Sequence, residues 1–203
     1  MFLAATAAQA QINIGGHVYG GGSAGKMTGN TSVTIYAGDL HNVYGGAEKA
    51  DVGGSTFVNI DGEHASNYII IDKVFGGNDV SGTIGNEEGT KAIPSDLLKH
   101  ELELPNDTNK VDNTWDAIVR LTTKTVSTTT GTGDDAVTTV TEATDAQKIY
   151  IGQLFGGGNG EYDYSSSDYR GLAAPVLNRA YLEICGGSIV YAYGGGNNAT
   201  VTE

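Results

Sequence analysis

Apolar and polar residues alternate along this chain in short runs, and each run stops at glycine. Val33-Thr34-Ile35 and Phe57-Val58-Asn59-Ile60 carry the period of two that belongs to a strand with one buried face, not the 3.6 of a helix. Alternation predicts Val33, Ile35, Ile60, Leu182 and Ile184 inside, with Thr34, Asn59 and Glu183 outside. A second pattern is an aromatic residue followed by glycines, at Tyr19-Gly20-Gly21, Tyr44-Gly45-Gly46, Phe75-Gly76-Gly77, Phe155-Gly156-Gly157 and Tyr193-Gly194-Gly195. Ahead of these lie alternating segments ending in glycine, Ile12 to Gly16, Val33 to Gly38, Phe57 to Gly62, Ile149 to Gly152 and Leu182 to Gly187. A third element follows the glycines at 26–32, 51–56, 80–84 and 199–202. The Tyr/Phe interchange predicts a stack of rings whose hydroxyl, where present, reaches an edge.

Each unit is two or three short strands separated by glycine turns, too small to bury both faces of its strands alone. Stacking the units pairs each strand with its equivalent and satisfies the backbone. The expected fold is therefore all-β, a parallel β-solenoid (β-helix) with an external insertion; the alternative is a β-sandwich with glycine-rich hairpins. The step from Phe75 to Phe155 is much longer than those before it. The expected organisation is a signal peptide remnant over 1–10, solenoid repeats over 11–85, an inserted excursion over 86–148 and further repeats over 149–203. Within the excursion, Pro94-Ser95-Asp96 opens a short helix. Ala117 to Thr128 and Ala136 to Ala143 form a Thr-rich hairpin around Gly131 to Asp135. A smaller excursion spans about 160–175. The chain stops within a third element, so a longer protein is expected.

Composition narrows the function. With 11 basic against 24 acidic residues, the formal charge of −13 repels phosphate backbones, so no nucleic acid is expected as partner. The lone Cys185 allows no internal disulfide and no cysteine-based metal site, and its strand-like surroundings predict a small packed residue. Met1 to Ala10 ends in Ala8-Gln9-Ala10, the small-x-small pattern of a signal peptidase site, which predicts export to the cell surface or beyond. No later stretch reaches the ~18 apolar residues of a membrane span.

Several motifs fail a direct test. Gly20 to Lys26 spells G-x-x-x-x-G-K, but Met27 stands where a hydroxyl must hold magnesium, and a strand-like segment follows where a helix must. Gly157 to Asp163 lacks the nine-residue period of a calcium array. His17, His41, His64 and His100 have no ligand spacing, so neither metal nor cofactor is expected. Asp61, Glu63 and Asp72 are the candidates for a carbohydrate-active enzyme, a polysaccharide lyase or glycoside hydrolase using paired carboxylates on a β-helix. The sequence favours no enzyme. The best recognition site is the loop holding Tyr162, Asp163, Tyr164, Asp168, Tyr169 and Arg170, where aromatic faces can stack on sugars while short polar groups bond hydroxyls.

The strings INIGGHVYGGG, VFGGNDVSG, IYIGQLFGGGNG and LNRAYLEICGGSIVYAYGGGNNATVT resemble the glycine-rich repeats of large exported surface proteins of Bacteroides-type gut bacteria. The resemblance covers residues 11–85 and 149–203. It implies a secreted, β-helix-like stalk or adhesin, with surface glycan or protein as partner, and it supplies no catalytic residue.

Overall fold

The computed structural model describes residues 12–85, 116–132, 135–160 and 174–201. No α-helix occurs among them, and the helix expected from Pro94 lies outside them. The protein is all-β, and its two large sheets are parallel throughout.

The first sheet contains β1 (Asn13–Tyr19), β3 (Gly38–Tyr44), β5 (Ile69–Phe75), β9 (Ile149–Phe155) and β11 (Ser188–Tyr193), side by side in that order. The second contains β2 (Thr31–Ile35), β4 (Thr56–Gly62), β6 (Ala117–Thr123) and β10 (Ala180–Ile184). Between leaving the first sheet and entering the second, the chain touches its neighbours through single parallel bridges that line up Met27, Val52, Ile84, Val176 and Val201. A separate antiparallel hairpin joins β7 (Thr125–Thr130) to β8 (Val137–Glu142), with every residue of both strands exposed.

Alternation decides which side chains enter the core. Leu40, Val43, Ile71, Val74, Ile151 and Leu154 of the first sheet pack against Ile35, Val58, Ile60, Val119 and Leu121 of the second. A smaller cluster, Ala47, Val52, Ile84, Ala117 and Val176, backs the line of bridges. Ile35 and Ile60 are buried as expected, and Val33 and Leu182 pack partly buried on the same core. Ile184 departs from expectation, 44% exposed, because it ends a strand at the sheet edge.

The aromatic residues form one continuous column, Tyr19, Tyr44, Phe75, Phe155 and Tyr193, with centroids 5.0, 4.9, 4.8 and 4.8 Å apart. That is the spacing of neighbouring strands, so backbone pairing and ring stacking reinforce one another. The glycine after each of the first four aromatics is required by close approach. A Cβ on Gly76 would lie 2.1 Å from the carbonyl oxygen of Gly156.

Four sequence expectations need correction. Ala117–Thr123, expected as a hairpin arm, is instead a core strand paired with β4 and β10; the hairpin is confined to β7 and β8. The segments Ile12 to Gly16 and Ile149 to Gly152 are not equivalents of Val33 to Gly38, since they run on into their own aromatic motif within the first sheet. The hairpin-linked sandwich does not fit two sheets whose strands all run parallel. Cys185 is exposed rather than packed; its amide holds the Leu121 carbonyl at 2.8 Å, and desolvation beside Glu183 pushes its thiol up, away from the reactive thiolate.

Candidate functional site

The loop residues singled out from the sequence, Tyr162, Asp163, Tyr164, Asp168, Tyr169 and Arg170, lie outside the described residues. Among the described ones, the first sheet carries a shallow groove of about 230 Å³ where β1, β3 and β5 meet. Asn13, Ile14, Gly15, Asp39, Leu40, His41 and Asp72 line it. Its floor follows from the local sequence. The pairing of β1 with β3 shifts register between Ile14 and His17, and Gly15 and Gly16 bring no side chain into the gap.

At this groove His41 Nδ1 lies 2.5 Å from Asp72 Oδ2, across adjacent strands. The His17 ring stacks on that of His41, with centroids 5.1 Å apart and planes 15° from parallel. The carboxylate fixes the orientation of the His41 imidazole and leaves its other nitrogen for a ligand. Both partners of this contact are more than half exposed, so it adds little to stability. Sequence reasoning found no ligand spacing among the histidines and missed this pair. A signal was available, because His41 and Asp72 stand at the same distance ahead of their aromatics, Tyr44 and Phe75.

The three carboxylates considered for glycosidic chemistry do not act together. Asp61 is buried and closes the turn after β4, accepting the His64 amide at 3.0 Å with the His64 ring 3.0 Å away. Glu63 is exposed beside that turn, while Asp72 belongs to the other sheet and engages His41. No described group of three His, Cys, Asp or Glu side chains is arranged to hold a metal.

A second polar assembly covers the ring column at its glycine corner. Tyr19 donates its hydroxyl to Asp79 Oδ2 at 2.8 Å, Asn159 Nδ2 donates to Asp79 Oδ1 at 2.8 Å, and Asn197 Nδ2 donates to Asn159 Oδ1 at 3.0 Å. Ser23 Oγ extends the same line, donating to Glu48 at 2.6 Å and holding that carboxyl below its usual range. Desolvation, with Asp79 close by, keeps the Tyr19 and Tyr44 hydroxyls well above the ordinary phenol value and so protonated. Inside the corner, Asn78 is fully buried and bridges two backbone groups, accepting from the Ala47 amide at 2.7 Å and donating to the Ala50 carbonyl at 2.9 Å. These contacts fix the corner.

Asp116 is a buried carboxylate just ahead of β6. Its Oδ2 accepts the Asn178 amide at 2.8 Å and Asn178 Nδ2 at 3.0 Å, while Oδ1 has no partner among the described residues. Burial pushes this carboxyl up. Gly85, at φ +91°, leaves the space it occupies, since a Cβ there would fall on the carboxylate. Lys26, at the end of the G-x-x-x-x-G-K string, pairs with Asp51 at 3.5 Å, and the next element is strand β2.

No family model, no curated protein and no solved structure matches the chain. No described helix is long and apolar enough to cross a membrane.

Proposed function

We propose that this chain is a segment of an exported, cell-surface parallel β-solenoid, a stalk that binds surface glycan or protein through loops leaving its frame. The reading rests above all on one observation. The chain visits the first sheet, the line of bridges and the second sheet in the same order, in parallel, with the rings stacked in one column. Such a frame gains length by adding like units and needs no catalytic centre. Export is supported by the Ala8-Gln9-Ala10 pattern. Tyr162, Asp163, Tyr164, Asp168, Tyr169 and Arg170 are the proposed contact loop, on their chemistry alone.

The carbohydrate-active reading finds its described carboxylates, Asp39 and Asp72, in the His41–Asp72 groove, where Asp72 is engaged by His41. One experiment separates the two readings: a glycan array with the chain from Gln11 onward, with release of reducing ends assayed on the same polysaccharides. Binding without release, lost when Tyr162, Tyr164 and Tyr169 become alanine, is the expected result. Release abolished by His41→Ala would replace the stalk by an enzyme.

A further inference from the structure

Alternation in the first sheet breaks at the same place in three successive strands. Leu40 and Val43 of β3, Ile71 and Val74 of β5, and Ile151 and Leu154 of β9 all enter the core, and each pair is three residues apart rather than two. The residues between them, His41-Asn42, Asp72-Lys73 and Gly152-Gln153, stay out of that core. The three strands are in register, so these places line up into a crease that crosses the sheet. At one end the crease opens into the groove beside β1, where Gly15 brings no side chain.

Along one side of the crease, Asp39, Ile70 and Tyr150 stand in a single row across β3, β5 and β9. Each directly precedes a buried core residue, so its side chain points outward. Strand β9 has a neighbour on either side, yet the Tyr150 ring is 49% exposed, and Gly152 two places along has no side chain to cover it. The crease itself holds hydrogen-bonding groups, His41 oriented by Asp72, with Lys73 and Gln153 beyond them. The Asp39 carboxylate lines the groove and has no bonding partner among the described residues. From Asp39 to Tyr150 is two strand spacings, about 10 Å, which accommodates linked sugar rings rather than one small molecule.

We propose that this crease is a binding site for an extended, uncharged polysaccharide laid across the strands. Tyr150, with Ile70 beside it, takes the apolar face of a sugar ring, while Asp39 accepts from hydroxyls and the free nitrogen of His41 bonds them. Charge selects among glycans. The formal −13 of the chain and the two carboxylates in the groove repel polymers of uronic acids and leave neutral ones favoured. A protein partner fits poorly, because the apolar area of this row is Ile70 and Tyr150 alone, too little for the core of an interface. The proposal rests on the glycan contact of the stalk reading, but it places that contact on the frame and apart from the loop at 162–170.

Native electrophoresis of the full chain tests the site, through gels containing xylan, mannan, mixed-linkage β-glucan or polygalacturonate. The wild type is expected to be retarded by at least one of the three neutral polymers and not by polygalacturonate. Tyr150→Ala and Asp39→Ala should each weaken the apparent Kd about tenfold. Both should keep the wild-type circular dichroism and melting curve, since neither side chain supports the core, and Asp39→Ala carries the test should Tyr150→Ala fold poorly. Retardation lost in these variants, and kept when Tyr162, Tyr164 and Tyr169 become alanine, supports the crease and sinks the loop. The reverse pattern overturns the crease and leaves the loop standing. Retardation by none of the neutral polymers, stronger retardation by polygalacturonate, or neutral binding that both crease variants keep also overturns the proposal.

Discussion

Phe75 sits at the middle of the ring column, 1% exposed, with Tyr44 on one side at 4.9 Å and Phe155 on the other at 4.8 Å. Leucine there keeps most of the apolar volume but removes both ring–ring pairs. Each such pair is worth about 0.5–1.5 kcal/mol beyond the area it buries, so Phe75→Leu should cost about 1–3 kcal/mol. Alanine removes the volume too, and the loss should rise to about 3–5 kcal/mol. Tyr193 provides the internal comparison. It stacks within the column on Phe155 alone and is 44% exposed, so Tyr193→Leu should lose one pair, about 0.5–1.5 kcal/mol. Urea titration followed by far-ultraviolet circular dichroism measures all three, at a concentration where each chain is monomeric. The midpoints should move while the slope stays constant. A Phe75→Leu loss no larger than that of Tyr193→Leu would show that stacking is incidental to strand pairing and refute the reasoning.

Two further substitutions test the polar interior. Asn78→Leu strips partners from the buried Ala47 amide and Ala50 carbonyl, and at about 1–3 kcal/mol for each orphaned group should be among the most damaging single changes; a loss below about 1 kcal/mol by the same titration would contradict the bridging role. For Asp116 the folded chain holds its proton at pH values where the unfolded chain has released it. Stability should therefore fall as pH rises from the ordinary carboxyl value, 3.8, through the raised one. Asp116→Asn, which can still accept the Asn178 amide, should abolish that fall and be the more stable form at neutral pH. An unchanged slope against pH would show that Asp116 is not its source.

Much of the frame was legible because one local pattern encoded it repeatedly. The aromatic-glycine string marks the end of every strand of the first sheet, and the third elements contain Met27, Val52, Ile84 and Val201, four of the five bridge residues. Val176 was missed because no aromatic-glycine string of its own stands close ahead of it. Strand β6 was missed for a different reason. Ala117 to Thr123 runs without a break in alternation into the threonines of β7, and only pairing with the distant Phe57 to Gly62 distinguishes it. The His41–Asp72 pair was hidden likewise, since it exists only once β3 and β5 lie side by side. Local alternation reports which face of a strand is apolar; which strands become neighbours is a property of the whole chain.

The connections from the second sheet back to the first have a consequence for how such a protein can change. They occupy residues 36–37 after β2, 63–68 after β4, 124–148 after β6 and 185–187 after β10. Yet Gly38, Ile69 and Ile149 arrive in one register. Side-chain columns therefore set the alignment, and the length of what hangs between them is free. A connection can be stretched, exchanged or decorated without disturbing the scaffold, as the hairpin β7–β8 already illustrates, so the exterior can diversify under selection while the interior stays constant.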